Sequence, residues 1–222
     1  MAHRFPVRRA THYYSNQSLR VSHGTSLPYS RERCKAIFPA GTSAMPTRGN
    51  ALVLIGFMGA GKSSAGRAVA QKLRLPRFDT DEMVAAKFAI SISEIFRQFG
   101  EARFRDAETE ALRELDGKSE AVIVTGGGIV LREENIRELQ RLGTIVSLHA
   151  REEIIFERVS RRSSRPLLRT ENPRATVAQL LATRAPLYRA AADAEIDTSD
   201  FAQQELGEAV IREWERAAAT RT

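Results

Sequence analysis

The chain has 222 residues, of which 42% are hydrophobic and 27% are charged, and its 34 basic and 27 acidic residues give a net charge of +7. This composition is typical of soluble globular proteins and excludes collagen-like, coiled-coil and repeat architectures. The longest apolar runs fall far short of the roughly 18 to 20 residues that a membrane-spanning helix needs, so we expect no membrane partner. The only cysteine, Cys34, excludes an intramolecular disulfide.

The positive charge lies in the N-terminal segment. The first 50 residues hold eight basic residues and one acidic residue, whereas the other 172 hold 26 of each and are neutral overall. Because this segment is also poor in aliphatic residues, we expect residues 1–49 to be a disordered basic extension. Three interpretations stay open: a start assigned upstream of Met45, an organelle transit peptide, or an arm that binds nucleic acid. The first, which we favour, implies a cytoplasmic protein without a nucleic-acid partner, and the second implies a plastid.

Residues 50–222 form one predicted domain, in which short apolar runs alternate with helical periodicity. Strands are predicted at 51–55, 77–79, 121–124, 144–148 and 195–197, and helices near 65–73, 104–115, 136–142, 154–159 and 203–216. Buried strands separated by helices are typical of parallel βα crossovers. The sequence therefore predicts an α/β fold, a three-layer α/β/α domain of the P-loop NTPase-like class with a five-stranded parallel sheet.

A phosphate-binding motif joins the first predicted strand to the first helix. The run GFMGAGKS at 56–63 matches G-x-x-x-x-G-K-[ST]. Its glycines let the backbone turn its N–H groups inward, and the following helix directs its positive N-terminus to the same place. Lys62 supplies a cation for the β- and γ-phosphates, and the Ser63 hydroxyl is a candidate Mg²⁺ ligand. The motif predicts binding of a nucleoside triphosphate, and the compact core favours a metabolite kinase.

Two carboxylates, Asp79 and Asp81, follow the second predicted strand. Ligands bind at the carboxyl ends of parallel strands, so we expect both side chains beside the phosphate-binding loop. One can reach Mg²⁺ through water while the other accepts a hydrogen bond from an attacking hydroxyl. The alternative is a helix N-cap followed by acidic first-turn residues.

Two arginines are candidates for binding an anionic ligand. Arg105 and Glu108 lie three residues apart on one helix edge, and an ion pair between them would fix the guanidinium as a receptor for another carboxylate. A surface ion pair is the alternative. Arg184 interrupts an apolar stripe, and a charge at such a place needs a partner. Pro186 predicts an interruption or kink of this helix at Ala185.

Two loops complete the candidate site. A run of three glycines at 126–128 follows the buried strand 121–124, which would expose backbone N–H groups to a ligand; a flexible turn is the alternative. Residues 158–169 carry five arginines without a regular apolar pattern. This pattern indicates a closing lid at about 158–170 or, alternatively, a solvated basic loop.

Together these motifs closely resemble those of the shikimate kinase family. The resemblance covers about residues 50–200 and rests on GFMGAGKS, FDTDE, FR with Glu three residues after the Arg, TGGG, RPLL and RAPLY, in this order. The resemblance implies transfer of the γ-phosphate of ATP to the 3-hydroxyl of shikimate in chorismate and aromatic amino-acid biosynthesis. It also implies Mg²⁺ as the cofactor, and we expect a monomer.

The resemblance assigns roles to individual residues. The catalytic residues would be Lys62, Asp81 and Arg165, with Arg165 a lid arginine on the phosphates. Ser63 would serve the metal directly, and Asp79 would serve it through water. ATP would contact Gly59, Ala60, Gly61, Lys62, Ser63, Ser64, Arg158 and Arg165. Shikimate would contact Asp81, Arg105, Gly126, Gly127, Gly128 and Arg184.

One segment departs from the family pattern. Residues 197–204 lack the Asn and Pro that many members carry near adenine, so the resemblance assigns no residue of this loop to adenine and leaves the contact open. The residues leave open another P-loop small-molecule kinase such as a gluconate kinase. They also leave open a catalytically idle nucleotide-binding module and an RNA-binding protein.

A chain that begins at Met45 is expected to release ADP with shikimate at the same rate as the full chain, because the domain starts at residue 50 and does not need the extension. A coupled ADP-release assay on both proteins checks this. A clearly slower shorter protein would contradict it.

Overall fold

The sheet organises the domain. A computed structural model describes residues 49–118, 120–161 and 171–220, without the side chains of Gln203 and Gln204. Its strands are β1 (Ala51–Gly56), β2 (Arg77–Asp79), β3 (Val122–Val124), β4 (Gly143–His149) and β5 (Ala194–Asp197). They form a five-stranded sheet in the order β2-β3-β1-β4-β5, and every pair is parallel. The five predicted strands and the predicted parallel sheet are therefore confirmed.

Strand β1 lies at the centre of the sheet. All six of its residues are buried, because the strand pairs with β3 on one side and with β4 on the other. Leu54 is opposite Val124 and Val146, and Gly56 is opposite Leu148. This register sets the ends of β1, β3 and β4 close together, so the loops that follow them share one edge of the sheet.

Helices cover both faces. α1 (Lys62–Leu73) and α7 (Gln203–Ala219) pack on each other, and they contact β3, β4 and β5 between them. α4 (Glu133–Leu142) and α6 (Pro173–Ala191) contact β1 and β4 from the other face, and α5 (Glu152–Ser160) packs on α6. The predicted three-layer α/β/α architecture is confirmed. No helix of the described ranges combines the length and the apolar character needed to cross a membrane.

A small helical unit extends beyond β2. It consists of α2 (Thr80–Phe88) and α3 (Ile92–Arg113), and Gly100 interrupts α3 with a φ of 78° that glycine adopts at low cost. The unit has its own buried cluster, which comprises Val84, Ile95, Phe104, Ala107 and Ala111. A 3₁₀ turn (Ile129–Leu131) connects β3 to the segment before α4. The cluster fixes the orientation of α3, which carries the predicted Arg105 and Glu108.

One expectation about a helix is wrong. Helix α6 continues through Pro186 to Ala191 without the predicted interruption at Ala185. Proline removes one backbone hydrogen bond, but the buried side chains on both sides of it, Arg184 and Tyr188, hold the helix against the rest of the domain. Arg158, the first residue of the predicted lid, lies in the last turn of α5, and residues 162–170 of that lid lie outside the described residues.

Candidate active site

The phosphate-binding loop has the conformation that its glycines predict. Gly56, Gly59 and Gly61 have positive φ values of 138°, 83° and 96°. A Cβ atom on Gly56 would lie 2.1 Å from the Leu148 carbonyl oxygen, so this position has no room for a side chain. Helix α1 begins directly after the loop, and no side chain caps its first turn. Its free N–H groups and positive dipole end therefore face the loop, which favours an anion.

Lys62 is held over the loop by the loop's own carbonyls. Its Nζ donates hydrogen bonds to the carbonyl oxygens of Gly56 at 2.8 Å and Phe57 at 2.9 Å, and the residue is only 8% exposed. An ammonium in this position adds positive charge next to the free N–H groups of α1. The predicted placement of Lys62 at the phosphate site agrees with this geometry.

A cleft of about 570 Å³ opens beside the loop. Both basic and acidic side chains line it: Lys62, Arg158 and Arg161, and Asp79, Asp81 and Glu82. Ser63, Ser64, Thr125, Gly127 and Phe201 also line it. Cations for phosphates and carboxylates for a metal or a hydroxyl thus meet in one cleft.

Asp79 caps helix α2, as the alternative interpretation of this segment predicted. Its Oδ1 accepts a hydrogen bond from the Asp81 N–H at 3.1 Å, and its Oδ2 lies 3.3 Å from Arg77 Nη1. Burial raises the pKa of Asp79, and the nearby carboxylate of Glu82 raises it further. The capping hydrogen bond holds the Asp79 carboxylate at the wall of the cleft. The same side chain can therefore cap the helix and bind a metal.

The residues predicted for Mg²⁺ fit that ion only together with phosphates. The Ser63 hydroxyl and the Asp79 carboxylate line the same cleft and are hard oxygen donors. Mg²⁺ is usually held by one or two such groups plus substrate phosphates and water. Within the described ranges no group of three or more His, Cys, Asp or Glu residues could hold a metal. The donor set therefore suits a nucleotide-bound Mg²⁺.

A buried ion pair lies next to this cleft. Arg105 Nη1 donates to Glu108 Oε2 at 2.5 Å, and Arg105 Nη2 donates to Glu101 Oε1 at 2.9 Å. Glu108 is 0% exposed, and its Oε1 has no hydrogen-bond partner among the residues that the structure describes. Burial raises the pKa of Glu108 to about 7, although the charge of Arg105 opposes this shift. The pair is therefore buried, and the surface ion pair considered above is wrong.

Two of the three glycines, Gly126 and Gly128, make room for these charged side chains. A Cβ on Gly126 would lie 2.4 Å from Asp81 Oδ1 and 2.6 Å from Glu108 Oε1, so these two oxygens are within about 5 Å of each other. A Cβ on Gly128 would lie 2.0 Å from Arg105 Nη1. The sequence predicted a close approach by a ligand. The structure shows that the protein's own site residues already approach this backbone closely.

Helix α6 adds a second guanidinium at the same glycines. Arg184 Nη1 donates to the Gly127 carbonyl at 3.3 Å, and its guanidinium lies 6.0 Å from the centre of the Phe57 ring. Arg184 is only 6% exposed, and no carboxylate among the described residues forms an ion pair with it. The Tyr188 hydroxyl donates to the same carbonyl. Burial raises the pKa of Tyr188 to about 12, so this hydroxyl stays a donor at neutral pH.

Arg158 is tied to the phosphate-binding loop. Its Nη1 donates to the Gly59 carbonyl at 3.3 Å and to Thr198 Oγ1 at 3.0 Å, and its Nη2 donates to the Thr198 carbonyl at 2.8 Å. Arg165, the predicted lid arginine, lies outside the described residues.

The predicted site residues that the structure describes thus lie in two adjoining parts of one site. Residues of the phosphate-binding loop and Arg158 form one part, and Arg105, Glu108 and Arg184 form the other. Asp81 lies between them, since it lines the cleft and approaches Gly126 beside Glu108. Sequence reasoning missed Tyr188, one turn after Arg184, and Thr198, which directly follows β5. The position of Thr198 at the carboxyl edge of a parallel sheet is a signal that could have revealed it.

Comparison with known proteins identifies the family. The family model of shikimate kinase matches residues 58–215, which is more than half of the chain. The chain belongs to the shikimate kinase family. The resemblance drawn from the motifs is therefore confirmed.

Relatives and solved structures of this family match most of the domain. The shikimate kinase of Thermodesulfovibrio yellowstonii is 46% identical over 171 residues, which is 77% of this chain and 98% of the relative. That of Ralstonia nicotianae is 42% identical and covers 73% of this chain and 86% of its own. The structure of the shikimate kinase from Acinetobacter baumannii in complex with shikimate is similar at 35% identity and a TM-score of 0.71, covering 75% of this chain and 93% of that one.

The raised pKa of Glu108 gives this shikimate kinase family member a specific pH dependence. Because the folded state favours protonated Glu108, ionisation of this group destabilises the fold as pH rises from about 4.5 to about 7. The free energy of unfolding of the wild-type protein, measured relative to that of Glu108→Gln, should fall by roughly 2 to 3 kcal/mol over this range. Urea unfolding at a series of pH values measures it.

The matched control is Glu101→Gln, which removes the exposed partner of Arg105. Because this variant keeps Glu108, its free energy of unfolding relative to that of Glu108→Gln should still fall as pH rises. If the difference in free energy of unfolding between the wild-type protein and Glu108→Gln stays constant across the pH series, the assignment of a raised pKa to Glu108 is contradicted.

Proposed function

We propose that the chain transfers the γ-phosphoryl group of ATP to the 3-hydroxyl of shikimate, giving ADP and shikimate 3-phosphate. One observation carries this proposal. The cleft beside the phosphate-binding loop adjoins, through Asp81, a buried cluster with two guanidinium groups, and one of these, Arg184, has no carboxylate partner in the described part of the chain. Such a cluster suits an acceptor that carries both a carboxylate and hydroxyl groups.

The nucleotide part of the site relies on backbone groups. The triphosphate binds to the N–H groups of the phosphate-binding loop and of the first turn of α1, with Lys62 at the β- and γ-phosphates. Ser63 and Asp79 hold the Mg²⁺ of the nucleotide, Asp79 through water. When bound, Mg²⁺ neutralises negative charge on the β- and γ-phosphates. Arg158, which also lines this cleft, contacts the nucleoside.

The acceptor part relies on side chains. Arg105, oriented by Glu108 and Glu101, and Arg184, oriented by the Gly127 carbonyl, bind the shikimate carboxylate. The unpartnered Glu108 Oε1 accepts a hydrogen bond from a ring hydroxyl. The glycines 126–128 form the wall against the ring. The two guanidinium groups and the carboxylate oxygen of Glu108, which accepts a hydrogen bond, thus determine which hydroxyl of shikimate faces the γ-phosphate.

Asp81 acts on the reacting hydroxyl. It accepts the hydroxyl proton while the substrate oxygen bonds to the γ-phosphorus and the bond from that phosphorus to the ADP oxygen breaks. Lys62 stabilises the negative charge on the transferring group. Arg165 stays a prediction of the family resemblance. A monomeric state and a cytoplasmic location are likewise parts of this proposal that solution and cell experiments must test.

A gluconate kinase is the second candidate, because gluconate also combines a carboxylate with hydroxyl groups. The membership of the shikimate kinase family favours shikimate. ADP release by the purified chain with shikimate, and its absence with gluconate, is the direct test, and the reverse result would overturn the substrate assignment. A catalytically idle nucleotide-binding module does not need a buried arginine pair beside Asp81.

Asp81→Asn is expected to lower kcat by about 10²- to 10⁴-fold, because the amide cannot accept the hydroxyl proton. The affinity for ATP should change little, since the phosphates bind to the backbone and Lys62. Steady-state ADP release and equilibrium titration with ATP check the two effects. An unchanged kcat would remove Asp81 from the mechanism.

Arg184→Ala is expected to raise the KM for shikimate by roughly 10- to 100-fold and to leave the KM for ATP nearly unchanged, because it removes a charged hydrogen bond to the carboxylate. Arg189→Ala is the matched control: it removes an exposed arginine of the same helix, paired with Glu195. The control should behave as the wild-type protein. An effect of Arg184→Ala confined to ATP would contradict the carboxylate clamp.

A further inference from the structure

We propose that Thr198 is a positioning residue, which holds the backbone of the phosphate-binding loop in the conformation that binds a triphosphate. Thr198 directly follows β5, is 1% exposed, and contributes no group that lines the cleft. The inference rests on the proposed function only in assuming that the loop binds the phosphates of ATP.

The Thr198 hydroxyl connects three parts of the site. Its Oγ1 donates a hydrogen bond to the Ala60 carbonyl at 3.1 Å and accepts one from Arg158 Nη1 at 3.0 Å. The Thr198 backbone is fixed as well, because its N–H donates to the His149 carbonyl at 2.7 Å and its carbonyl accepts from Arg158 Nη2 at 2.8 Å. Thr198 thus joins the ends of β4 and β5 to the loop and to α5.

A loop that turns its N–H groups toward an anion must direct carbonyl groups elsewhere. The carbonyls of Gly56 and Phe57 accept from Lys62, that of Gly59 accepts from Arg158, and that of Ala60 accepts from Thr198. Ala60 is fully buried. Without Thr198 its carbonyl would lose this partner, and a buried carbonyl without a donor is costly.

Without the hydrogen bond from Thr198, the Ala60 carbonyl could adopt another orientation. Rotation of the peptide between Ala60 and Gly61 would turn the oxygen toward the phosphates and the N–H away from them, and glycine tolerates the new backbone angles. A carbonyl oxygen facing a phosphate is repelled by it. The hydroxyl of Thr198 stabilises the productive orientation, so its removal should weaken phosphate binding without touching the acceptor pocket.

Thr198→Val is the decisive variant, because it removes the hydroxyl and keeps the shape of the side chain. The dissociation constants of ATP and of inorganic tripolyphosphate, each measured by calorimetric titration, should both rise by roughly tenfold. The KM for shikimate should stay within about twofold of the wild-type value. Thr198→Ser keeps the hydroxyl and should restore both affinities.

Ser199→Ala is the matched control in the same loop. The Ser199 hydroxyl bonds to Asp197 and accepts from the Arg151 N–H, and it makes no bond to the phosphate-binding loop. This variant should bind both ligands as the wild-type protein does. If Thr198→Val does not fold, as judged by thermal unfolding, Thr198→Ala is measured in its place.

Each other outcome has a defined meaning. Unchanged binding of both ligands by Thr198→Val would overturn the inference. Weaker ATP binding with unchanged tripolyphosphate binding would also overturn it, because Thr198 would then act on the nucleoside through Arg158. A wild-type protein that binds neither ligand would overturn the proposed function itself.

Discussion

The parallel pairing of β1 with both β3 and β4 is the constraint on which the site depends. Parallel strands end at the same edge, so the loop after β1, the glycines after β3 and Thr198 after β5 all meet there. Asp79 ends β2, and its neighbour Asp81 opens the following helix at the same edge. The site residues are far apart in the chain, and each is placed by the end of a strand that the core fixes. Mutations in the core would therefore misplace several site groups at once.

The space at this edge is as important as the side chains. Arg105 and Glu108 are buried, and burial of charges is unfavourable unless they are paired at close distance. Gly126 and Gly128 allow the pair to lie against the backbone, because any Cβ there would occupy the position of a charged group. The same glycines bring Asp81 within about 5 Å of Glu108. The absence of side chains at Gly126 and Gly128 is what allows two carboxylates and a guanidinium to share one small volume.

Much of the fold and of the site could be predicted because the relevant signals are local. The apolar runs predicted the strands, and the phosphate-binding motif occupies eight consecutive residues. Arg184 stood out because it interrupts an apolar stripe. Tyr188 and Thr198 were missed because their roles arise from contacts with Gly127 and Ala60, which are 61 and 138 positions away in the chain. Sequence patterns within a window of one helix cannot register such contacts.

Where the sequence-based predictions are wrong or incomplete, the cause is again packing between parts of the chain that are distant in sequence. Pro186 predicted an interruption from local backbone preference alone, and tertiary packing of α6 outweighs the loss of one hydrogen bond. Helix α2 was predicted only through the alternative interpretation of Asp79 as an N-cap, since the helix has only nine residues and two fully buried ones. Asp79 was treated as either a cap or a functional carboxylate. The structure shows that a cap can be the means of orienting such a carboxylate.

The two parts of the site differ in how they can change. The nucleotide part is made of backbone N–H groups, so it depends on glycine conformations and on the donors that hold its carbonyls, namely Lys62, Arg158 and Thr198. In the proposed function, the acceptor part consists of side chains on α3 and α6, which pack outside the loop. Substitutions on those helices can alter the acceptor while the loop keeps its geometry. In this architecture phosphate binding and acceptor choice are physically separable, and Asp81 is the group at which the two must coincide.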